Sequence, residues 1–468
     1  MADSTYTSEK GYKLESLTIF SPNGTTIDVS PQLIELSIFE DIYNSTLSGM
    51  FVLRDGNDFF AKIPLTGFEF VSISFSKPGS PENISLTKIF RIYKMTGPEV
   101  KPSNASVQSY ALHFCSEENM VSVSRRMSKS YSAKLISDMI LDILQNQLLV
   151  SQVKLSRDNI ESTKGRHSII VPNMNPLTAI TWLTSRAMTV TDSGIGACYM
   201  FYENSDGYNL KSLENIFKTP TKRQYVFGSK NVETGDDSSS TQRQIQTVIQ
   251  YEFASNFDVL TAITSGMYSS VLKGVDLTRN RVDDTTLNYL DFFYKTRHIE
   301  NEIRSSGKKS FSGFPFHVDY KDRLNNRIEN NYFASLKMYP TNKNHNIYSQ
   351  ISSKQPGITP NLVETWMLQR TSQINQLNYL KLKLLVPGDA ALTVGDIIEF
   401  EIPLTQRQTS EQKNQNPYHS GRYLITAIRH IINNSKYEMI LEATRDCLST
   451  SYPQTDSKSP VMTAMRKL

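Results

Sequence analysis

LKLKLLVPGDAALTVGDIIEFEIP, residues 380–403, decides the fold. Leu380, Leu382, Leu384 and Val386 alternate with Lys381, Lys383 and Leu385, so a strand here has one apolar face and one mostly charged face. Pro387-Gly388-Asp389 turns the chain. Ile398, Phe400 and Ile402 then alternate with Glu399 and Glu401, and Pro403 ends the strand because it has no N–H for a ladder. Past a long polar loop, SGRYLITAIRHII (420–432) sets Leu424, Ile428 and Ile432 on one face, and YEMILEA (437–443) does the same with Tyr437, Met439, Leu441 and Ala443. A few short strands within residues 379–443 cannot bury two faces, so the barrel they outline needs closure or strands from elsewhere in the chain.

The same order of strands recurs near the N-terminus. Gly67-Phe68-Glu69 leads into Val71, Ile73 and Phe75 as Gly395-Asp396 leads into Ile398, Phe400 and Ile402. IFRIYKM (89–95) stands where GRYLITAIRH stands, and YALHF (110–114) where YEMIL stands (437–441). Ordered self-similarity of this kind predicts a duplicated barrel.

Working outward, SLTIFSPNGTTIDVS (16–30) reads as a hairpin turning at Asn23-Gly24, followed by strands in LIELSIFEDI (33–42) and GMFVLRDGNDFF (49–60). These complete a first barrel over 1–116. The period then changes: Leu135, Ile136, Met139, Ile140, Ile143 and Leu144 share one helical face, with Ser130 or Ser132 placed to cap it. A second helix is expected from Asn175 and Pro176, with Leu177, Ile180, Leu183 and Ala187 facing inward. With a hairpin at Asp206-Gly207, residues 117–225 read as an inserted α+β domain. Residues 228–244 are polar and loop-like. The segment 226–300, including GMYSSVLKGVDLTRN (266–280), is assigned to the missing strands of the second barrel, which 240–300 would complete. Residues 301–376 form a mixed connecting region, mostly surface structure up to 355 and ending in a short amphipathic helix around Trp366; 377–450 carry the second barrel, and 451–468 are a polar tail.

A chain of 468 residues has room for about three or four domains. No apolar run is long enough for a membrane span, and the polar start MADSTYTSEKGYK gives no expectation of Sec-type export. The formal charge of +4 does not suggest a dedicated nucleic-acid surface. Cys115, Cys198 and Cys447 are widely spaced in apolar surroundings and read as buried thiols rather than zinc ligands or disulfides. No catalytic, cofactor or metal site is expected. Gly307-Lys308-Lys309-Ser310 lacks the earlier glycine of a phosphate loop, and His113 and His430 read as hydrogen-bonded strand residues. Glu117-Glu118 are adjacent and would point apart on a strand, while Arg125, Arg126 and Lys129 read as a solvated approach to a helix. Glu203 and Asp206, on an expected hairpin turn, are the carboxylates a cell-wall hydrolase would use.

Several segments resemble the central baseplate hub proteins of contractile-tailed, T-even-like bacteriophages, and more distantly the hub portion of contractile secretion-system spikes. They are LIELSIFEDIYNSTLSGMFVLRDG (33–56), the Ser128–Tyr131 step into SAKLISDMILDIL, VPNMNPLTAITWL (171–183), FYENSDGY (201–208), VPGDAALTVGDIIEF (386–400) and SGRYLITAIRH (420–430). The resemblance implies an α+β, mainly β chain with two similar tube-type antiparallel β-barrels and inserted α+β domains. It implies a non-enzymatic structural protein of the virion tail baseplate, assembled in the host bacterial cytoplasm. Its expected partners are two further copies in a homotrimer, the central spike protein, the tail tube or tube-initiator protein, and the surrounding wedge proteins. Genomic DNA would pass transiently through a lumen whose lining is expected to be neutral or acidic. The hub of a secretion or injection system would share this architecture. The duplication leads the same way: three chains with two similar barrels each would present six near-equivalent units.

Overall fold

The computed structural model describes residues 13–56, 65–76, 86–99, 108–189, 196–227, 247–255, 257–277, 280–293, 295–301, 335–341, 359, 362–404, 416–433 and 436–450. The polar stretch 228–244, nearly all of 302–358 and the tail from 451 lie outside them.

The N-terminal strands are β1 (Lys13–Phe20), β2 (Thr26–Asp28), β3 (Leu33–Asp41), β4 (Ser48–Asp55), β5 (Phe70–Ser76), β6 (Leu86–Glu99) and β7 (Gln108–Cys115). They pair antiparallel in the order β2-β1-β5-β6-β7-β4-β3 and curl around a core of Leu17, Leu36, Phe51, Val71, Phe90 and Phe114. Gly49 has to be glycine here, since a Cβ would sit 2.3 Å from the Phe114 ring. No ladder joins β1 to β3 among the described residues. Two bonds narrow the gap instead: Val29 N to Leu17 O (2.9 Å) and Leu17 N to Ser30 Oγ (2.7 Å).

The inserted unit follows: α1 (Glu117–Ser124), β8 (Met127–Lys134), α2 (Ile136–Asn146), β9 (His167–Met174), α3 (Pro176–Thr184), β10 (Tyr199–Asn204), β11 (Gly207–Ser212) and α4 (Leu213–Phe217). Ile140, Ile143 and Leu144 of α2 meet Ile180 and Leu183 of α3 over the β8-β9 and β10-β11 ribbons. Ser130 and Ser132 do not cap α2. They lie on β8, where Met127 and Tyr131 are buried and hold the chain extended as far as Lys134. Pro176 opens α3 after Asn175, although the Asn175 side chain makes no capping bond.

The second barrel closes. Its strands are β12 (Thr221–Phe227), β13 (Thr247–Val248), β14 (Gln250–Ser255), β18 (Leu380–Pro387), β19 (Ile397–Glu401), β20 (Gly421–Asn433) and β21 (Tyr437–Arg445). β13 pairs with β12, and β14 with β18; Ile249 between them donates its N–H to Leu385 O (2.8 Å). One run, 247–255, therefore joins the two ends of β12-β19-β20-β21-β18.

Two expectations change here. Residues 221–227 belong to this barrel rather than to the insert; of the apolar side chains on β12 only Tyr225 is buried, so the strand has little sequence signal. Conversely, 266–280 does not enter the barrel. Helix α5 (Val259–Ser265) leads instead to a separate sheet of β15 (Ser269–Asp276), β16 (Arg281–Asn288) and β17 (Leu336–Pro340). There Leu272 packs with Trp366 and Leu368 at the start of α7 (Met367–Leu377), and this small core captures β15.

The duplication extends to individual bonds. The neighbour order β1-β5-β6-β7-β4-β3 is repeated as β12-β19-β20-β21-β18-β14. Each copy has a bulge in the same place, between Ile92 and Lys94 opposite β7 and between Ile425 and Ala427 opposite β21. Each enters its meander through a threonine–acid turn with a left-handed glycine. Thr66 N donates to Glu69 Oε1 (2.7 Å) with Gly67 at φ 87°, and Thr393 N to Asp396 Oδ2 (2.8 Å) with Gly395 at φ 93°. Ile92 N then donates to Glu69 O (2.9 Å), and Ile425 N to Asp396 O (3.0 Å). By these bonds Tyr110 corresponds to Met439, two residues along from the sequence match and on the same face. The copies differ in that β1 runs antiparallel to β5 whereas β12 runs parallel to β19.

The two turns titrate in opposite senses. Burial works against the Glu69 carboxylate, but the donors from Thr66 and Gly67 outweigh it and hold its pKa below the ordinary value. At Asp396 burial prevails over Lys222 and the Thr393 N–H, and the pKa rises. The Glu69 contribution to stability is therefore present above the carboxylate range and lost as pH falls through its folded value, the reverse of Asp396. Glu69→Gln is expected to flatten the acid limb of a melting-temperature series recorded by circular dichroism, and Asp396→Asn to steepen it.

Candidate assembly surface

The barrels are fused through β20, whose residues 427–433 pair with β3 from Ala427↔Asp41 to Asn433↔Glu35. The result is one antiparallel run, β14-β18-β21-β20-β3-β4-β7-β6, whose outer face crosses both barrels without a break. Register puts Glu252, Lys383, Lys381, Glu442, Ile440, Arg429, Phe39, Met50 and His113 on that face, because their sequence neighbours fill the two cores. Its charges are Glu35, Asp41, Glu252, Glu438 and Glu442 against Arg54, Lys94, Lys381, Lys383 and Arg429. Some are paired across strands: Lys381–Glu442 at 2.9 Å and Arg429–Glu35 at 3.0 Å. Burial, with help from Lys94, lowers the His113 pKa, so this imidazole is neutral near pH 7. Among the described residues the face carries equal numbers of acidic and basic side chains.

The β10-β11 hairpin locks the insert to both barrels. Glu203, 2 % exposed, accepts from Leu47 N (3.0 Å) and Ser116 Oγ (2.5 Å) on Oε2, while Lys154 Nζ reaches its Oε1 at 3.0 Å and Glu118 at 2.9 Å. Burial disfavours the Lys154 ammonium, but Glu203 and Glu118 outweigh it and hold its pKa above the usual lysine value. Lys88 of β6 donates to Ser205 O (2.6 Å), and Asn204 Nδ2 donates to Thr393 Oγ1 (3.1 Å) on the second barrel. Gly207 permits this seating: its φ is 120°, and a Cβ would meet Lys154 O at 2.2 Å.

A cavity of about 40 Å³ lies at the same junction, lined by Ile38, Glu40, Leu47, Lys88, His430 and Tyr437 among others. His430 Nδ1 is 2.9 Å from the Tyr437 hydroxyl, and Glu40 Oε2 accepts from Val394 N (3.1 Å).

Glu203 and Asp206 are not brought together across a cleft: both oxygens of Glu203 are engaged in the junction, and Asp206 is exposed at the hairpin tip. Glu117 and Glu118 open α1 and part ways, Glu117 to Arg91 (2.9 Å) and Glu118 to Lys154. Lys129 sits on β8 and pairs with Asp142 (2.6 Å) rather than approaching a helix in solvent. Arg125 donates to Gln147 O (2.6 Å). Among the described residues no cluster of three or more His, Cys, Asp or Glu could hold a metal ion, and no helix is long and apolar enough to cross a membrane.

This architecture is a mainly β α+β fold of the phage-tail type, with two related barrels carrying one continuous outer sheet. Over 434 residues, 89 % of this chain and 90 % of the relative, the sequence is 21 % identical to the probable baseplate hub protein gp334 of Vibrio phage KVP40. The resemblance to phage baseplate hub proteins therefore extends over nearly the whole chain. Among solved structures, the 43 kDa tail protein of prophage MuSo2 from Shewanella oneidensis shares the fold, with a TM-score of 0.51 over 92 % of this chain and 99 % of that one at 7 % identity. The tail protein from Neisseria meningitidis MC58 aligns over 93 % of this chain and 97 % of that one, with a TM-score of 0.48 at 10 % identity. No protein-family model matches.

Proposed function

We propose that this chain is a non-enzymatic structural hub of a contractile phage tail baseplate, a homotrimeric ring that adapts a sixfold tail tube to a threefold spike. The observation that carries this reading is the head-to-tail order of the two barrels. β20 corresponds to β6 and β3 to β14, so the β20·β3 ladder is a junction that can be repeated between chains. Among the described residues β6 beyond Arg91 pairs only with β7, and β14 only with β18, which leaves the two edges of that same junction open at the ends of the run. Pairing β6 of one copy with β14 of the next would continue the sheet around a ring and cover edges that otherwise invite aggregation. Pro98 supplies no donor, so the ladder would end near Gly97.

In such a ring the continuous outer face lines the lumen. Its balanced charge suits the passage of DNA, because a basic lining would hold phosphates and slow transit. The barrels would meet the tube or its initiator, the inserted unit from α1 to α4 would keep threefold symmetry toward the spike and wedge proteins, and the tail from 451 would dock a partner. The site of action would be the virion baseplate, after assembly in the host cytoplasm.

Negative-stain electron microscopy of the purified chain, alone and with its spike protein, tests the proposal. The expected averages show a threefold ring with an open centre and six peripheral lobes. Monomers under both conditions would overturn it.

A further inference from the structure

Although equivalent by register, the outer faces of β5-β6 and β19-β20 are covered differently. On the second barrel Ile397, Leu424 and Arg422 are no more than 1 % exposed. The chain itself lies over them: α4, then α6 (Tyr289–Phe293) and the turn at Ile299–Asn301, with Phe217, Phe293 and Ile299 in the same apolar cluster as Leu424. Glu300 of that turn accepts from Arg422 N and from the Arg445 guanidinium, both at 2.9 Å.

On the first barrel the corresponding residues are Phe70, Arg91 and Ile89; Glu117 at the start of α1 reaches only Arg91, and no described segment covers the apolar side chains around it as 289–301 does on the second barrel. Ile89 is 58 % exposed, Phe68 61 % and Phe20, directly across from Phe70, 38 %. The Arg91 guanidinium lies 3.4 Å from the centre of the Phe70 ring. It bonds Glu117 through Nε and Nη2 and Phe68 O through Nη1, leaving two of its five N–H groups for another acceptor.

We infer that this bare face docks a short helical segment of a different protein, one offering Phe or Leu side chains with a carboxylate beside them for Arg91. The second barrel shows that an apolar cover fits the equivalent face, and exposed apolar area of this kind marks interaction sites. A second copy of this chain is the poorer occupant, because its own segment of that chemistry, 289–301, is already buried on its own barrel. Burying Phe20, Phe68 and Ile89 supplies the apolar anchor, and a carboxylate on Arg91 fixes its orientation.

The inference rests on the hub reading, and the test separates the two. A photo-crosslinking p-benzoylphenylalanine is placed at Ile89 or, separately, at Thr96 on the open β6 edge, and assembled tails are irradiated. The Ile89 probe is expected to capture a different protein through a peptide with aromatic and acidic residues, and the Thr96 probe a second copy of this chain. Ile89→Asp is expected to reduce incorporation into tails at least tenfold without changing the melting temperature of the purified chain. Capture of a second copy from position 89, or no capture there while Thr96 crosslinks, overturns the docking inference alone. A chain that never enters tails defeats both readings.

Discussion

Glu300→Ala is expected to destabilise the second barrel by about 3–5 kcal/mol, because it strands a buried guanidinium. The side chains of Glu300 and Arg445 are both 0 % exposed, and their ion pair is 2.9 Å long. Arg445 keeps bonds to Cys447 O (2.7 Å) and His419 O (3.2 Å), but these carbonyls carry no formal charge to balance it. Arg422 N loses its acceptor as well. Glu300→Gln keeps an acceptor at the same place and is expected to cost less, about 1–3 kcal/mol. Urea midpoints would measure both, with hydrogen exchange over 421–445 reporting locally. Equal losses would show that shape, rather than charge, makes the contact.

Glu203→Ala is expected to cost about 2–5 kcal/mol, for a different reason: two buried donors lose their acceptor, at about 1–3 kcal/mol each. Lys154 retains Glu118, so the loss falls on the donors from the first barrel: Leu47 N and Ser116 Oγ are left buried without this carboxylate. The distinguishing result is directional. The hairpin should loosen from the barrels, exposing 199–212 to exchange while the core beneath α2 and α3 stays protected. Uniform exposure of the whole chain would contradict a junction role for Glu203.

What could be read in advance followed the physics of each segment. The alternation in β18 was legible because that strand has one buried and one mostly charged face, and α2 was legible because its apolar residues recur at helical spacing. The two threonine–acid turns could have been matched directly, as Thr66-Gly67-Phe68-Glu69 and Thr393-Val394-Gly395-Asp396, had the bond rather than the apolar strand been the unit of comparison. β12 was missed because its neighbours in the barrel, not its own side chains, hold it in place. β15 was misassigned because alternation reveals a strand and not the sheet that receives it. The junction was out of reach: Lys154 and Glu203 are 49 residues apart, and nothing local to either predicts the other.

The route by which the second barrel closes also sets an order of events while the chain is being made. β1 to β7 are all in hand once residue 115 has emerged, and their ladders are local. The run 247–255 must wait for β18, which begins at Leu380, and β3 must wait for β20, which begins at Gly421. Until the last strands leave the ribosome, β3 presents an unpaired row of N–H and C=O groups, and loops this long make the final encounter slow. The two ends of the continuous sheet are thus set at different times: the β6 edge once residue 115 has emerged, and the β14 edge only when β18 has arrived.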